Sequence, residues 1–260
     1  MQYMIFLLVS LSATLIGSIC GIGGGIIIKP VLDSLQVMST ASISFLSGCT
    51  VLSMTIVSVY KTMRAGTVKI RMDTGTPLAL GAAVGGVAGS QIFQYLQDHS
   101  ADPEAVGDIQ AMFMVGMMTV VILYTLFSSK LRSGHVKNKL ACILLGGGLG
   151  MLSAFLGIGG GPLNLAVLTL FFSMNTKEAA ANSLYIILFS QAASLLVTLF
   201  TGSVPEFLPL ALVIMVAGGL LGGTLGSLLN KRLQEKQVRV LYLLACAGIF
   251  LLSLHNAGLF

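Results

Sequence analysis

Two copies of one glycine-rich segment are the part of this chain whose residue types and spacing could do chemistry. The segment GIGGG spans Gly21–Gly25 and recurs at Gly157–Gly161, each time inside a long apolar stretch. A helix that starts just after such a turn has unbonded backbone N–H groups and the positive end of its dipole at that point. Glycine also lets a ligand approach these amides closely. Two such helix starts therefore predict a pocket of amides for a small anion.

A glycine cluster that occurs once is more often a device for tight helix packing. Repetition favours the binding interpretation, because broken helices persist in a bilayer only where they are buried in protein or line a cavity. Paired interruptions in two halves of a chain are typical of a transporter's binding site. The dinucleotide-binding fingerprint is a poor alternative, since no βαβ context or ribose-binding acid accompanies the glycines.

The predicted anion site combines turn amides with polar side chains from neighbouring segments. The amides belong to Gly23, Gly24, Gly25, Ile26, Gly159, Gly160 and Gly161. The side-chain candidates are Lys29, Ser47, Asn164, Asn182, Ser183 and Gln191. Ser183 begins a polar helix face that continues at Ser190 and Ser194, as a lining for anion passage requires. The alternative for each of these side chains is an ordinary polar contact between membrane helices.

Lys29 is the only basic residue inside an apolar run, one helical turn after Gly25. Its counterpart in the second copy is Leu165, so the predicted site is asymmetric. An ionisable residue within the membrane is by default a functional candidate. The alternative is a lysine that extends to the membrane interface or pairs with Asp33, which is also one turn away.

Composition places the chain in the membrane class. Hydrophobic residues make up 55% of the 260 residues and charged residues only 9%, which is too few charges for a soluble surface. Apolar runs that approach the ~20 residues needed to cross a bilayer lie at 3–20, 40–60, 74–96, 107–128, 140–156, 178–200, 207–229 and 238–256. We expect one all-α polytopic membrane domain over residues 1–260, surrounded by the lipid bilayer. Nucleic acid is not an expected partner, because the basic residues lie in loops beside apolar runs.

The repeat extends well beyond the glycines. At an offset of 136 positions, Ser47 matches Ser183 and Ser58 matches Ser194. After a slip of one residue, GGVAGS at 85–90 matches GGTLGS at 222–227. The chain is therefore predicted to consist of two homologous repeats, about residues 1–130 and 137–260.

Loop charges predict that the two repeats have opposite orientations. Three loops hold 12 of the 14 basic residues, namely Lys61, Arg64, Lys69, Arg71, Lys130, Arg132, Lys137, Lys139, Lys231, Arg232, Lys236 and Arg239. Such loops are expected on the cytoplasmic side. The segments 97–108 and 201–206 contain acidic residues and no Lys or Arg, and are expected outside. Because 201–206 is the repeat counterpart of the basic loop 61–71, the repeats are predicted to be inverted, with both termini outside.

Inversion requires an odd number of crossings in each repeat. Each repeat has three plain crossings, so the remaining segments, 3–36 and 140–174, are predicted to be glycine-broken hairpins. Their second arms, 26–36 and 162–174, span only part of the ~30 Å hydrocarbon core at ~1.5 Å per residue. We favour hairpins that re-enter from opposite faces. Full crossings with a cramped return, ten in all, are the alternative.

The paired GxGGG segments and the GGVAGS and GGTLGS helix ends resemble the sulfite/organosulfonate exporter family, of the TauE/SafE type, over essentially the whole chain. The resemblance implies a bacterial or archaeal permease of the inner, cytoplasmic membrane. It also implies small sulfur-containing anions as substrates, such as sulfite, thiosulfate or sulfoacetate. The family's glycine motifs correspond to Gly21–Gly25 and Gly157–Gly161 in this sequence.

The predicted function is therefore a permease of small anions that works by alternating access around the two broken helices. An anion channel could use the same broken helices and is the alternative. An intramembrane enzyme is disfavoured, because the apolar spans contain no Asp-rich cluster and no paired histidines. No cofactor or metal is expected. Protons are the candidate coupling ion, although no carboxylate lies mid-membrane as an evident relay and Asp33 is the nearest candidate.

Overall fold

The computed structural model describes residues 2–66, 68–99, 103–127, 134, 136, 138–156 and 160–256, and all regular elements within them are helical. Ten helices follow one another in these ranges: α1 (Gln2–Cys20), α2 (Gly25–Ser34), α3 (Thr40–Ala65), α4 (Met72–His99), α5 (Pro103–Phe127), α6 (Lys139–Phe155), α7 (Gly161–Phe172), α8 (Thr176–Phe200), α9 (Pro209–Arg232) and α10 (Glu235–Asn256). The predicted all-α class is confirmed.

Seven of these helices are long and apolar enough to cross a membrane: α1, α3, α4, α5, α8, α9 and α10. The other three are shorter and form the second arms of the two hairpins and the first arm of one. Helix α2 has 10 residues, α6 has 17 and α7 has 12. At ~1.5 Å per residue, α2 and α7 are about 15 and 18 Å long, half the depth of a bilayer.

Polar residues set the helix boundaries, and some of these lie beyond the apolar runs. The side chains of Ser39, Asn138 and Asn175 each accept a hydrogen bond from a backbone N–H in the first turn of α3, α6 and α8. Helix α3 continues past residue 60 to a left-handed Gly66, because Lys61 and Arg64 extend the helix beyond the apolar run. For the same reason the expected bounds of the loop 97–108 are wrong, since α4 runs to His99 and α5 begins at Pro103.

Glycines spaced four residues apart bring two pairs of helices into close contact. They are Gly81, Gly85 and Gly89 on α4, and Gly218, Gly222 and Gly226 on α9. A Cβ atom on the α4 glycines would overlap the backbone of α6, and one on the α9 glycines would overlap α1. Within each pair, later residues of one helix contact later residues of the other, so α4 runs parallel to α6 and α9 runs parallel to α1. Small residues at helix contacts are the usual packing device inside membranes.

Helices of each half pack against helices of the other half, and the pairings correspond. Helix α1 packs on α9 as α6 packs on α4, and α3 packs on α9 as α8 packs on α4. Helices α3 and α8 also contact each other, with Gly48 of α3 beside Gln191 near the end of α8. At the opposite end, Ser58 of α3 and Ala181 near the start of α8 line one cavity. Helices α3 and α8 therefore run antiparallel.

Apolar side chains face both inward and outward, as expected for a chain surrounded by lipid. Large hydrophobic residues on the outer faces of several helices are more than half exposed, including Leu8, Val84, Val120, Leu144 and Val213. The largest buried cluster lies inside and includes Ile22 and Ile26 after the first helix together with Leu156 and Leu165 around the second break. Both glycine segments therefore border the protein core.

Candidate functional site

The first glycine turn needs glycine for its backbone conformation. Helix α1 ends at Cys20, and Gly21 and Gly23 follow with φ values of 75° and 70°. These left-handed values are readily adopted only by glycine. Gly24 then precedes α2, and a Cβ atom there would overlap Thr14 of α1. Gly25 and Ile26, the first residues of α2, are buried, so their N–H groups lie inside the protein.

The second glycine turn is built in a related way. Gly160 has a φ of 72° and precedes α7, whose second residue is Pro162. A Cβ atom on Gly160 would overlap the hydroxyl of Ser153 on α6. Gly161 is buried at the start of α7. The predicted site residue Gly159, with its neighbours 157 and 158, lies outside the described residues.

The two turns are in direct contact with each other. A Cβ atom on Gly161 would overlap the backbone of Ile22, so the start of α7 lies against the turn that precedes α2. Gly21 makes an equally close approach to Ala180 of α8. The structure thus brings together the predicted residues Gly23–Ile26 of one half and Gly160–Gly161 of the other in one buried region.

Three of the predicted side chains are buried polar groups without a partner in the described part of the chain. They are Asn164, whose Oδ1 is unbonded, and Ser47 and Ser183, whose hydroxyls are unbonded. Asn164 lies in the first turn of α7 beside Gly160. A buried polar atom without a partner is costly and calls for an explanation, such as a bound molecule. The two hydroxyls can donate a hydrogen bond to an anion, and so can the Nδ2 group of Asn164, whereas its unbonded Oδ1 can only accept.

Lys29 is buried, and its ammonium group donates a hydrogen bond to a carboxylate. The Nζ atom of Lys29 lies 2.8 Å from Oδ2 of Asp33, one turn further along α2, and the lysine side chain is 3% exposed. This is the pairing that the sequence presented as the alternative to direct anion binding. The two opposite charges leave this part of α2 without net charge.

Asn182 lies further from the turns and holds a loop. Its Oδ1 accepts a hydrogen bond from the backbone N–H of Arg71 at 3.0 Å, and its Nδ2 donates to the carbonyl of Lys69 at 3.2 Å. Arg71 also forms a two-pronged ion pair with Glu178, at 2.5 and 3.1 Å. We call Arg71, Glu178 and Asn182 the latch. Sequence spacing carries no signal for it, because Arg71 and Glu178 are far apart in the chain.

Gln191 lines a cavity of about 360 Å³ beside the N-terminal end of α3. We call it the Gln191 cavity, and its polar lining consists of Ser44, Ser90, Gln94, Gln191, Ser194, Thr198 and Ser203. Ser44 contributes a buried hydroxyl that has no partner among the described residues. Only Gln191 of this lining belongs to the predicted site. Ser44 lies three residues before Ser47 on the same side of α3, and the predicted polar face does not extend that far.

A second, much smaller cavity of about 20 Å³ lies at the other end of α3. We call it the Lys231 cavity, and its polar lining consists of Ser18, Ser58, Thr62, Lys177, Ser227, Asn230 and Lys231. Two of these residues are basic. Within the described ranges, no group of three or more His, Cys, Asp or Glu side chains comes together that could hold a metal ion.

Sequence comparison relates this chain to known membrane proteins. The family model described as "Sulfite exporter TauE/SafE" matches residues 6–252. The chain is also similar to the probable membrane transporter protein YunE of Bacillus subtilis (strain 168). The two are 24% identical over 280 aligned residues, which cover 96% of this chain and 98% of that protein. No solved structure matches the chain.

Proposed function

The chain belongs to the sulfite exporter TauE/SafE family of membrane transporters, and from this membership we propose that it moves small anions by alternating access around its two glycine turns. The observation that carries the proposal is the direct contact between the turns, at Gly161 and Ile22. The proposed substrates are sulfur-containing oxyanions or organosulfonates such as sulfite, thiosulfate or sulfoacetate.

The chemistry at the turns supports an anion as the guest. Helices α2 and α7 both begin in this region, and free N–H groups at helix starts favour negative charge. The buried hydroxyls of Ser47 and Ser183 have no partner within the described residues and could complete the shell, together with the Nδ2 group of Asn164 beside Gly160. The Lys29–Asp33 pair adds no net charge, so binding would stay weak enough for release. Release matters for a carrier, because a very tightly held anion would not leave.

The orientation in the membrane is proposed from charge and packing together. Lys177 and Lys231 lie at the Lys231 cavity, and Arg71 lies in the loop that the latch binds to α8, so basic residues gather at one end of the α3–α8 pair. We assign that end to the cytoplasm of a bacterial or archaeal cell and both termini to the outside. Antiparallel packing of α3 and α8, which are repeat counterparts, supports inverted repeats. Proton coupling stays a prediction, with Asp33 as its candidate carrier.

A binding and uptake screen tests the proposed function. Purified protein is heated with sulfite, thiosulfate, sulfoacetate, taurine, sulfate or lactate, and a true ligand at a hundredfold excess over its dissociation constant should add ~2.7 kcal/mol of apparent stability. The same anions are then followed into proteoliposomes. We expect saturable uptake of one or more sulfur anions. Stabilisation by lactate alone would contradict the substrate class, and unsaturable single-channel currents would favour the channel.

A further inference from the structure

The Gln191 cavity and the Lys231 cavity are counterparts under the repeat. All eleven residues that line the Lys231 cavity have their repeat equivalents in the lining of the Gln191 cavity. Ser58 corresponds to Ser194 and Thr62 to Thr198, and the remaining lining residues follow the same offsets of 136 or 137 positions. A chance pair of surface pockets would not match residue for residue. The two cavities are therefore one structural feature, present once at each end of the α3–α8 pair.

Each cavity borders a glycine turn. Ser18, near the end of α1, lines the Lys231 cavity, and so does Ala180, which contacts Gly21. At the other end, Ala154, near the end of α6, lines the Gln191 cavity. Because the two turns contact each other, the order through the protein is the Lys231 cavity, the first turn, the second turn and the Gln191 cavity.

The two cavities differ greatly in volume, at about 360 and 20 Å³. Part of the difference comes from side-chain size. Leu184 lines the Lys231 cavity, and its smaller repeat counterpart Gly48 lines the Gln191 cavity. Leu184 belongs to a buried apolar cluster with Met54 and Tyr185, whose repeat counterparts Ser190 and Cys49 are smaller as well. The Lys231 cavity is thus nearly filled in this structure, whereas the Gln191 cavity is open.

The loops over the two cavities are also held with different strength. Val68, which lines the Lys231 cavity, belongs to the loop that the latch ties to α8 through Arg71 and Glu178. Over the Gln191 cavity, the counterpart of Glu178 is Ser42, whose hydroxyl donates a single hydrogen bond of 2.6 Å to the carbonyl of Glu206. A two-pronged ion pair is stronger than one neutral hydrogen bond.

We propose that the two cavities are the two ends of one anion pathway that open in turn, and that the latch holds the Lys231 cavity shut in this structure. The inference rests on the proposed anion transport. In the opposite conformation the Lys231 cavity opens and the Gln191 cavity closes around the turns. Lys177 and Lys231 attract anions to one end, whereas their counterparts Ala41 and Gln94 are uncharged. The basic end should therefore meet anions at a higher rate than the neutral end.

Cysteine labelling tests alternate opening without any substrate. The four native cysteines are replaced by alanine, and Ser194→Cys and Ser58→Cys are made separately in that background. Each purified protein is treated with N-ethylmaleimide, and the labelled fraction is followed by mass spectrometry. We expect Ser194→Cys to react at least about tenfold faster than Ser58→Cys, because Ser58 is exposed only in the minor conformation.

The latch is then broken with Glu178→Gln in both labelling variants. We expect the reactivity of Ser58→Cys to rise about tenfold and that of Ser194→Cys to fall, since one population grows at the expense of the other. Ser42→Ala, at the equivalent position over the Gln191 cavity, is the matched control and should not raise the reactivity of Ser58→Cys. Gln237→Cys, exposed outside both cavities, reports general accessibility and should stay constant.

Each other result overturns the proposal. Equal reactivity of Ser58→Cys and Ser194→Cys before the latch is broken would show that the Lys231 cavity is not shut. A rise at Ser58→Cys with no fall at Ser194→Cys would show that the two ends open independently. No change at either position would remove the role of the latch. Because labelling needs no anion, a failed transport screen with reciprocal labelling would contradict only the proposed substrates.

Discussion

The two glycine hairpins, α1–α2 and α6–α7, share the same five-residue turn sequence, but different contacts hold them in the protein. On α1, the hydroxyl of Thr14 donates to the carbonyl of Gly218 at 3.1 Å, and that of Ser18 donates to the carbonyl of Gly223 at 3.2 Å. On α6, the counterpart of Thr14 is Gly150, where a Cβ atom would overlap the backbone of α4. Both hairpins pack against the backbone of a neighbouring helix, and the first adds the hydroxyls of Thr14 and Ser18 where the second has Gly150 and Ala154.

The second arms of the hairpins differ in charge as well. Helix α2 contains the Lys29–Asp33 ion pair, whereas the same positions of α7 are Leu165 and Thr169. The hydroxyl of Thr169 lies 3.1 Å from that of Tyr124 on α5. The comparison teaches that the repeat preserves the backbone of the hairpin, because the turn needs glycine, and leaves the surrounding side chains free to differ.

The largest expected effect comes from Gly161, where the second hairpin contacts the first. In Gly161→Ala the new Cβ atom would overlap the backbone of Ile22, which cannot rotate away as a side chain could. We expect a loss of about 4–5 kcal/mol of stability and of all transport. Thermal unfolding in detergent and uptake into proteoliposomes measure the two losses.

Gly116→Ala is the matched control for that substitution, because nothing lies within 4 Å of a Cβ atom at Gly116 of α5. It should leave stability unchanged or slightly raised, since alanine favours helix more than glycine does. Normal stability and uptake in Gly161→Ala would show that the two turns do not pack as the structure has them.

The next largest effect tests the charge difference between the second arms. Lys29→Leu leaves the carboxylate of Asp33 without its partner and should cost about 3 kcal/mol. The double variant Lys29→Leu with Asp33→Thr copies the residues of α7 and should recover most of that loss. Thermal unfolding of the single and double variants measures the coupling between the two side chains.

Anion affinity of the same double variant tests whether Lys29 also binds substrate. We expect weaker binding with the fold intact, measured by ligand-induced stabilisation. Unchanged affinity would reduce the Lys29–Asp33 pair to a structural feature of α2.

A smaller expected effect distinguishes the α4–α6 contact from the α1–α9 contact. In Gly85→Ala the Cβ atom would overlap the backbone of Gly147 on α6. In Gly222→Ala it would meet the hydroxyl of Thr14, which can move, and the backbone of Leu11 and Leu15 at 2.8 and 2.9 Å. Because the backbone overlap is deeper at Gly85, we expect about 3 kcal/mol for Gly85→Ala and about 2 kcal/mol for Gly222→Ala. Equal losses in thermal unfolding would mean that the α4–α6 and α1–α9 contacts tolerate an added Cβ atom equally well.

The smallest expected effect removes one hydroxyl from the first hairpin. Thr14→Val deletes the hydrogen bond to the carbonyl of Gly218 while keeping the side-chain volume, and should cost about 0.6 kcal/mol. Ser12→Ala is the control, because the hydroxyl of Ser12 bonds only within its own helix and is exposed. A larger loss of stability in Ser12→Ala than in Thr14→Val would show that the hydrogen bond from Thr14 does not help to hold α1 against α9.

Much of the helix framework could be predicted because its signals are local. The apolar runs 178–200 and 238–256 correspond closely to α8 and α10. The breaks at Gly21–Gly25 and before Gly161 were predictable because glycine clusters interrupt helices wherever they occur. Errors arose at helix ends such as His99, where polar residues continue a helix beyond its apolar run.

The candidate site was predictable only in part. Asn164, Ser47 and Ser183 are buried as a site lining would be, and their role in binding stays a prediction. Asn182 has both ends of its amide bonded to the loop before α4 and to Glu178 of its own helix. Its sequence position beside Ser183 gave no sign of that, because adjacent residues on a helix face different neighbours.

The sequence by itself determined the membrane class, the helical segments, the repeat and the two glycine turns, because composition, hydropathy and backbone preference act over a few residues. Only the tertiary structure decided that Gly161 meets Ile22, that Arg71 pairs with Glu178, and that one cavity is open while its counterpart is nearly filled. Those features depend on which distant segments pack together. No local pattern encodes such pairings, since the contacts join residues more than a hundred positions apart in the chain.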